Sequence, residues 1–143
     1  MAPPPVIFVC ARNAVRSPMA EALWRARFGS RASAVSCGVA PASLPDGHMI
    51  TVMAEKGLDL SDYECRDMDD VAGEPAKLVV CLSEDVDEEA RAFAKARKAA
   101  YALWPVDEPS SARDRFLTLE RYRAARDAIE GRILAFEAES RAD

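Results

Sequence analysis

The chain has 143 residues, of which half are hydrophobic and 30% charged, and a formal net charge of −5. That length predicts one domain, 1–143, with enough apolar side chains for a full core. The acidic balance disfavours a nucleic-acid partner, and no apolar run is long enough to span a membrane.

The first element predicted is a strand. "PVIFV" (5–9) is a short continuous apolar run, as a strand buried on both faces requires. Cys10 follows it, and a helix is expected from Ser17 to about Phe28. Ser17 is its expected cap, Pro18 its first position and Gly29 its stop, with Met19, Leu23 and Ala26 as its inward stripe. "ASAVSC" (32–37) reads as a weaker strand. "PDGHMITVMAEKGL" reads as a helix with Met49, Ile50, Met53 and Ala54 inward and Gly57 at its end.

The polar stretch 59–75 predicts a loop with a short helix. "KLVVCL" (77–82) is the clearest buried strand after the first. "SEDVDEEARAFAKARK" predicts a helix with acids in its first turns and bases in its last, which suits the macrodipole; Val86, Ala90, Phe93 and Arg97 keep its spacing. "AAYALW" (99–104) is a fourth strand, "PVDEPSSA" a loop broken by two prolines. A long helix closes the chain from about Arg113, with Leu119, Tyr122, Ala125, Ile129, Ile133 and Phe136 as its stripe. Alternating strands and helices define an α/β class: a four-stranded parallel sheet with helices on both faces. Ligands of such sheets bind at the carboxyl ends of the strands, where Cys10 stands.

"MAPPPVIFVC" has neither a basic start nor a long apolar region, so no secretory signal and a cytoplasmic location are expected. The four cysteines (10, 37, 65 and 81) form no CxxC pair, and His48 is the only histidine. Structural zinc wants close-spaced ligand pairs, so no metal site is expected; no cofactor is expected either. In a reducing compartment the thiols are expected to be free.

The stretch Cys10, Ala11, Arg12, Asn13, Ala14, Val15, Arg16, Ser17 carries the chemistry. A thiol placed just before a helix start meets unpaired backbone N–H groups and the positive end of the dipole, both of which favour its thiolate. The same N–H groups cradle a phosphate. Arg16 offers a planar fork matched to two phosphoryl oxygens, and the Ser17 hydroxyl is within reach of the sulfur. A Cys-x5-Arg by itself is a weak signal. Between a buried strand and Ser-Pro opening a helix, it marks a site for nucleophilic attack on a bound phosphoryl group.

At this point the sequence resembles the low-molecular-weight protein tyrosine phosphatase family. The resemblance rests on "VCARNAVRSPMAEAL", on Ser36-Cys37-Gly38, on "KLVVCLSEDV" and on "WPVDEP" (104–109), and spans most of the chain. It implies a parallel sheet of order 2-1-3-4 and metal-free chemistry. It also implies Cys10 as nucleophile, Arg16 on the phosphoryl oxygens, Asn13 steadying the loop backbone and Ser17 activating the thiol. The implied substrate is a phosphorylated protein, above all at tyrosine, or a small aryl phosphate; nothing in the sequence sets an oligomeric state.

The family uses an aspartate before proline as general acid. Here Val106-Asp107-Glu108-Pro109 offers two carboxylates. Registration on Pro109 selects Glu108, whose backbone the proline holds extended; a one-residue shift in the loop selects Asp107. Three further departures stand out. Arg12 occupies a place where the family has a small or apolar residue. Val15 fills that of a second loop cysteine. The stretch "GVAPASLPDGH" (38–48) lacks the aromatic ring that stacks on phosphotyrosine, leaving Leu44 and His48 as candidates, with a surface role expected for His48. Trp24 and Phe28 read as packing, Cys65 as an exposed bystander.

Two other readings compete with phosphomonoester hydrolysis. Thioredoxin-coupled arsenate reductases share this fold and loop, but need two relay cysteines after the third strand, and none follows Cys81. A non-catalytic anion- or partner-binding module would explain the altered acid loop, but not the intact Cys10, Arg16 and Ser17.

Overall fold

Val6–Cys10 forms the first strand, β1, and every one of its residues is buried. The reason is positional. In the computed structural model, which describes residues 2–142, β1 lies inside the sheet with helices on both sides. Met1 and Asp143, the two ends of the expected 1–143 domain, lie outside the described residues. Side chains alternate across a strand, so Val6, Phe8 and Cys10 enter one apolar cluster while Ile7 and Val9 enter the other.

The elements follow in the expected alternation: α1 (Arg16–Phe28), β2 (Ala34–Gly38), α2 (Gly47–Ala54), β3 (Leu78–Cys81), α3 (Asp87–Ala96), β4 (Ala100–Leu103) and α4 (Arg115–Ala142). The sheet is parallel throughout, in the order β2-β1-β3-β4. Helices α1, α2 and α4 cover the Phe8 face, and α3 the Ile7 face. The polar stretch 59–75 contains one short 3-10 turn, Asp69–Val71. Among the described residues no helix is long and apolar enough to cross a membrane.

Three local expectations are corrected by packing. In α1, Ala26 is exposed, and the fully buried neighbour is Trp24. Its indole fills the space between Phe8, Phe28 and Phe136, with ring centroids 4.6–5.6 Å away, a burial worth roughly 1.5–3 kcal/mol for a large apolar side chain. In α2, Ala54 is exposed and Val52 is buried, because the helix presents Met49, Val52 and Met53 to the core. The helix ends at Ala54 and the turn after it closes on Gly57: Leu58 N–H returns to the Met53 carbonyl and Gly57 N–H to that of Ala54, with Gly57 at φ +75°.

The third correction concerns Ser17. Helix α1 begins at Arg16, its cap position is Val15, and no side chain caps it. The Ser17 hydroxyl is engaged elsewhere, so the N-terminus of α1 stays open toward the Cys10 loop. Pro18 falls within the first turn, where a missing N–H costs nothing.

Candidate active site

The loop between Cys10 and Arg16 is shaped by the segment that follows β2. Val39, Ala40, Ala42 and Asp46 donate their N–H groups to the carbonyls of Cys10, Ala11, Arg12 and Ala14, at 2.9–3.2 Å. With its carbonyls held on that side, the loop turns its own N–H groups away from it. Those of Arg12, Ala14, Val15, Arg16 and Ser17 find no acceptor among the described residues. Asn13 makes the turn possible by adopting φ +53°, a left-handed conformation that asparagine tolerates. Gly38 is needed for the close approach: a Cβ there would lie 2.7 Å from Asn13 N and 2.8 Å from Arg12 C.

Cys10 sits at the bottom of this turn. Its sulfur is 2.9 Å from Ser17 Oγ and receives the Asn13 N–H at 3.2 Å. A thiolate accepts such hydrogen bonds better than a thiol does. Arg16 is buried, and one of its nitrogens, Nη1, donates to the Val106 carbonyl at 2.8 Å. Its Nε is buried without any hydrogen-bond partner, and no carboxylate pairs with the guanidinium among the described residues. A buried cation with open donors calls for an anion.

Behind the loop lies a polar network that the sequence does not announce. Asn13 Nδ2 donates to Ser17 Oγ (2.7 Å) and Ser36 Oγ (3.1 Å). Its Oδ1 accepts from Arg66 N–H (2.8 Å) and the Tyr63 hydroxyl (2.9 Å). Ser36 contacts both Glu21 and Tyr63. Ser36 was legible as part of Ser36-Cys37-Gly38; Glu21, Tyr63 and Arg66 had no signal, since chain distance hides their meeting. Ala11 N–H is held by Ser83 Oγ at 3.0 Å, which ties the loop to the end of β3.

Asp107 and Glu108 are exposed on a segment without regular secondary structure, and neither carboxylate makes a hydrogen bond or ion pair among the described residues. The segment is anchored one residue earlier, at Val106. The charge of Glu108 reaches Tyr122, adding to the burial and the Asp46 contact that push its hydroxyl well above the usual range. Arg12 is exposed at the loop, and Leu44 is exposed nearby on the 38–46 segment.

His48 keeps its expected place at the surface, whereas Cys65 does not. His48 is half-buried, with its ring 5.1 Å from that of Tyr122 and Nδ1 3.6 Å from Asp46 Oδ1. Cys65 is half-buried against the Phe8 cluster, because Arg66 and Tyr63 draw its segment onto Asn13. The four cysteines are free, and among the described residues no three histidine, cysteine or acidic side chains are grouped to hold a metal.

A loop of unpartnered N–H groups between the first strand and first helix of a 2-1-3-4 parallel sheet, with a thiol at its base, matches the class of cysteine-based phosphatase folds. The family profile described as "Low molecular weight phosphotyrosine protein phosphatase" matches residues 5–141, and the chain belongs to that family. Among solved structures it is similar to the arsenate reductase from Archaeoglobus fulgidus, with 28% identity over 90% of this chain and 94% of that one and a TM-score of 0.69. It is also similar to the YwlE arginine phosphatase from Geobacillus stearothermophilus, with 25% identity, coverage of 97% and 95%, and a TM-score of 0.74. Vibrio vulnificus Wzb, solved in complex with benzylphosphonate, shares the fold at 15% identity, with coverage of 95% and 98% and a TM-score of 0.77. The relatives thus include phosphatases and arsenate reductases.

Proposed function

We propose that the chain is a phosphomonoester hydrolase working through a phosphocysteine, with a phosphorylated protein, phosphotyrosine foremost, or a small aryl phosphate as substrate. The observation that carries this reading is Arg16, buried beside Cys10 with its Nε unpartnered. A dianionic phosphoryl group supplies the missing acceptors for Arg16 and for the loop N–H groups. It also presents its phosphorus to the Cys10 sulfur.

In the first step Cys10 Sγ forms a bond to phosphorus as the bond to the leaving oxygen breaks. Glu108, or Asp107 one residue earlier, gives that oxygen its proton. In the second step the same carboxylate takes a proton from water, whose oxygen attacks phosphorus and releases the cysteine thiolate and inorganic phosphate. Arg16 and the loop N–H groups hold the equatorial oxygens through both steps. Ser17 and Asn13 hold the sulfur. The chemistry needs neither metal nor cofactor, and a cytoplasmic setting suits a thiol nucleophile.

Arsenate reduction is disfavoured by the thiols. Cys37 and Cys81 pair with Val9 across the sheet but are fully buried, and burial pushes the Cys37 thiol up to about 12. Hydrolysis of an aryl phosphate, compared between the parent and Cys10→Ser, tests the proposal. Turnover should be abolished in Cys10→Ser while phosphate binding persists. Retained turnover would defeat the nucleophile assignment. Phosphate binding without turnover in the parent would make the chain an anion-binding module. Arg16→Lys should also be severely impaired, because a point charge cannot replace the fork.

A further inference from the structure

Asn13 lies at the end of a chain of oxygen atoms whose hydrogens can be counted. Arg66 N–H can only donate, and it points at Asn13 Oδ1, which fixes the orientation of the amide. Both Nδ2 hydrogens are then spent on Ser17 and Ser36. Three oxygen–oxygen contacts remain: Glu21 Oε1 to Ser36 Oγ at 3.0 Å, Ser36 Oγ to Tyr63 Oη at 2.5 Å, and Tyr63 Oη to Asn13 Oδ1 at 2.9 Å. Each needs one hydrogen.

With Glu21 ionised, only the Ser36 and Tyr63 hydroxyls supply hydrogens, two for three contacts. Ser36 would give its hydrogen to Glu21, and Tyr63 has one hydrogen for two contacts, Ser36 and Asn13. One oxygen–oxygen contact of the three would then have none. With Glu21 protonated the count closes: Glu21 donates to Ser36, Ser36 to Tyr63 and Tyr63 to Asn13. We propose that Glu21 serves as a neutral carboxylic acid, a positioning residue that holds Asn13 and through it the Cys10 loop.

The surroundings are consistent with that protonation. Glu21 is buried, and desolvation, the largest influence on it, raises its carboxyl above the usual range. Two cations and, after them, hydrogen bonds from the Ser36 hydroxyl and backbone oppose this: Arg66 Nη2 is 3.3 Å from Oε1 and Arg25 Nη1 3.8 Å from Oε2. Arg25 directs Nε and Nη2 to the Ala34 carbonyl instead, and its side chain is half exposed, so water screens it. Tyr63 is the other titratable group at the network, and its hydroxyl is pushed up to about 12, chiefly by burial, so it keeps its hydrogen. Glu21 and Tyr63 line a surface groove with Pro18, Leu60, Asp59 and Asp62, through which a proton can exchange with solvent.

The direction of the pH dependence follows. The folded state holds the Glu21 proton more tightly than the unfolded chain does. The stability it contributes is therefore complete at low pH and declines as pH rises from the ordinary carboxyl range through the raised value. Loop order should decline in the same window, because one contact loses its hydrogen.

The hydrogen count does not depend on the chain being a phosphatase, whereas its catalytic effect rests on that proposal. Two readouts keep them apart. Infrared difference spectra across a pH step should show the carbonyl band of a neutral carboxylic acid that disappears on alkalinisation and is missing in Glu21→Gln. Absence of that band at every pH where the protein is folded would overturn the proposal. In Tyr63→Phe, which frees the Ser36 hydrogen for Glu21, the band should titrate away at lower pH; an unmoved midpoint would count against the chain of donors.

Iodoacetate alkylation of Cys10 and aryl phosphate turnover report the consequence. Glu21→Ala should alter the pH profile of alkylation and lower kcat on the order of tenfold, with KM little changed. Glu21→Gln, whose amide N–H replaces the acid O–H, should restore both. If Glu21→Gln is as impaired as Glu21→Ala, the charged form is the working one. If no variant or parent turns over while the band and the alkylation profile behave as stated, the phosphatase proposal fails and Glu21 stands.

Discussion

Arg16 Nη1 donates to the carbonyl oxygen of Val106 at 2.8 Å, so the cation of the Cys10 loop also holds the start of the segment that carries Asp107 and Glu108. Val106 is pinned from its other side as well, its N–H donating to the Leu82 carbonyl at 3.1 Å. The backbone is therefore fixed at Val106. This places both candidate acids within two residues of a fixed point beside the site.

The first prediction separates those acids. Asp107→Asn and Glu108→Gln are compared on a phosphate ester with a poor leaving group and on p-nitrophenyl phosphate. Pro109 restricts the backbone of Glu108, giving it the better-defined direction toward a leaving oxygen about 2.6–3.2 Å away. Glu108→Gln should lose on the order of 10²–10⁴-fold with the poor leaving group and much less with the good one. The same pattern in Asp107→Asn alone would transfer the role to Asp107. Its absence in both would remove this loop from catalysis.

Gly38→Ala tests the packing of the loop against β2. The new Cβ would meet the backbone of Arg12 and Asn13, which cannot move aside without distorting the turn. A loss of about 1–3 kcal/mol in urea unfolding is expected, together with weakened phosphate binding. Gly131→Ala is the comparison. It lies within α4 with nothing near its Cβ, and should stabilise by about 0.4–1 kcal/mol. Equal behaviour of the two variants would show that the close approach at Gly38 is not needed.

Oxidation is expected to run to irreversible products. Hydrogen peroxide converts a reactive thiolate to a sulfenic acid, which a neighbouring thiolate can trap. Val15 removes the loop neighbour, and burial raises the thiols of Cys37 and Cys81, which are both fully enclosed. Mass spectrometry after mild peroxide should find Cys10 as sulfinic or sulfonic acid, and Val15→Cys should recover more activity on reduction than the parent. A Cys10 disulfide to Cys37 or Cys81 in the parent would refute this.

Acid should weaken the contact between α2 and α4 at Glu55. Hydrogen bonds from Arg123 and then Arg126 lower its carboxyl to about 2. Because the folded-state value is depressed, the contribution is complete above the ordinary carboxyl range and is lost as pH falls toward about 2. Glu55 and Arg123 both lie at the surface, so solvent screening keeps the effect small. Urea unfolding of Glu55→Gln against the parent should show that difference at neutral pH and a smaller one in acid. A difference that grows in acid would reverse the assignment.

Much of the architecture was legible in local pattern. A continuous apolar run, as at 5–9 and 77–82, is what a strand covered on both sides must have, and Gly57 closes the turn after a helix through its own backbone freedom. The Cys10-to-Ser17 stretch was legible because its spacing acts within one turn of chain. The same locality made Ser17 look like a cap, since an isolated helix start would use it so.

What only the tertiary structure decided is where each side chain finds its partner. Ser17 gave up the cap because Cys10 and Asn13 offered its hydroxyl a buried place. Trp24 displaced Ala26 from the inward face because Phe8, Phe28 and Phe136 left a cavity the size of an indole. Asn13, Glu21, Ser36, Tyr63 and Arg66 meet around one amide, although no periodicity links them. Sequence determines which backbone a segment prefers, because that preference is set by neighbours a few bonds away. Burial and hydrogen-bond satisfaction depend on segments distant in the chain, so the proton count at Glu21 exists only once β2, α1 and the 58–68 segment have come together.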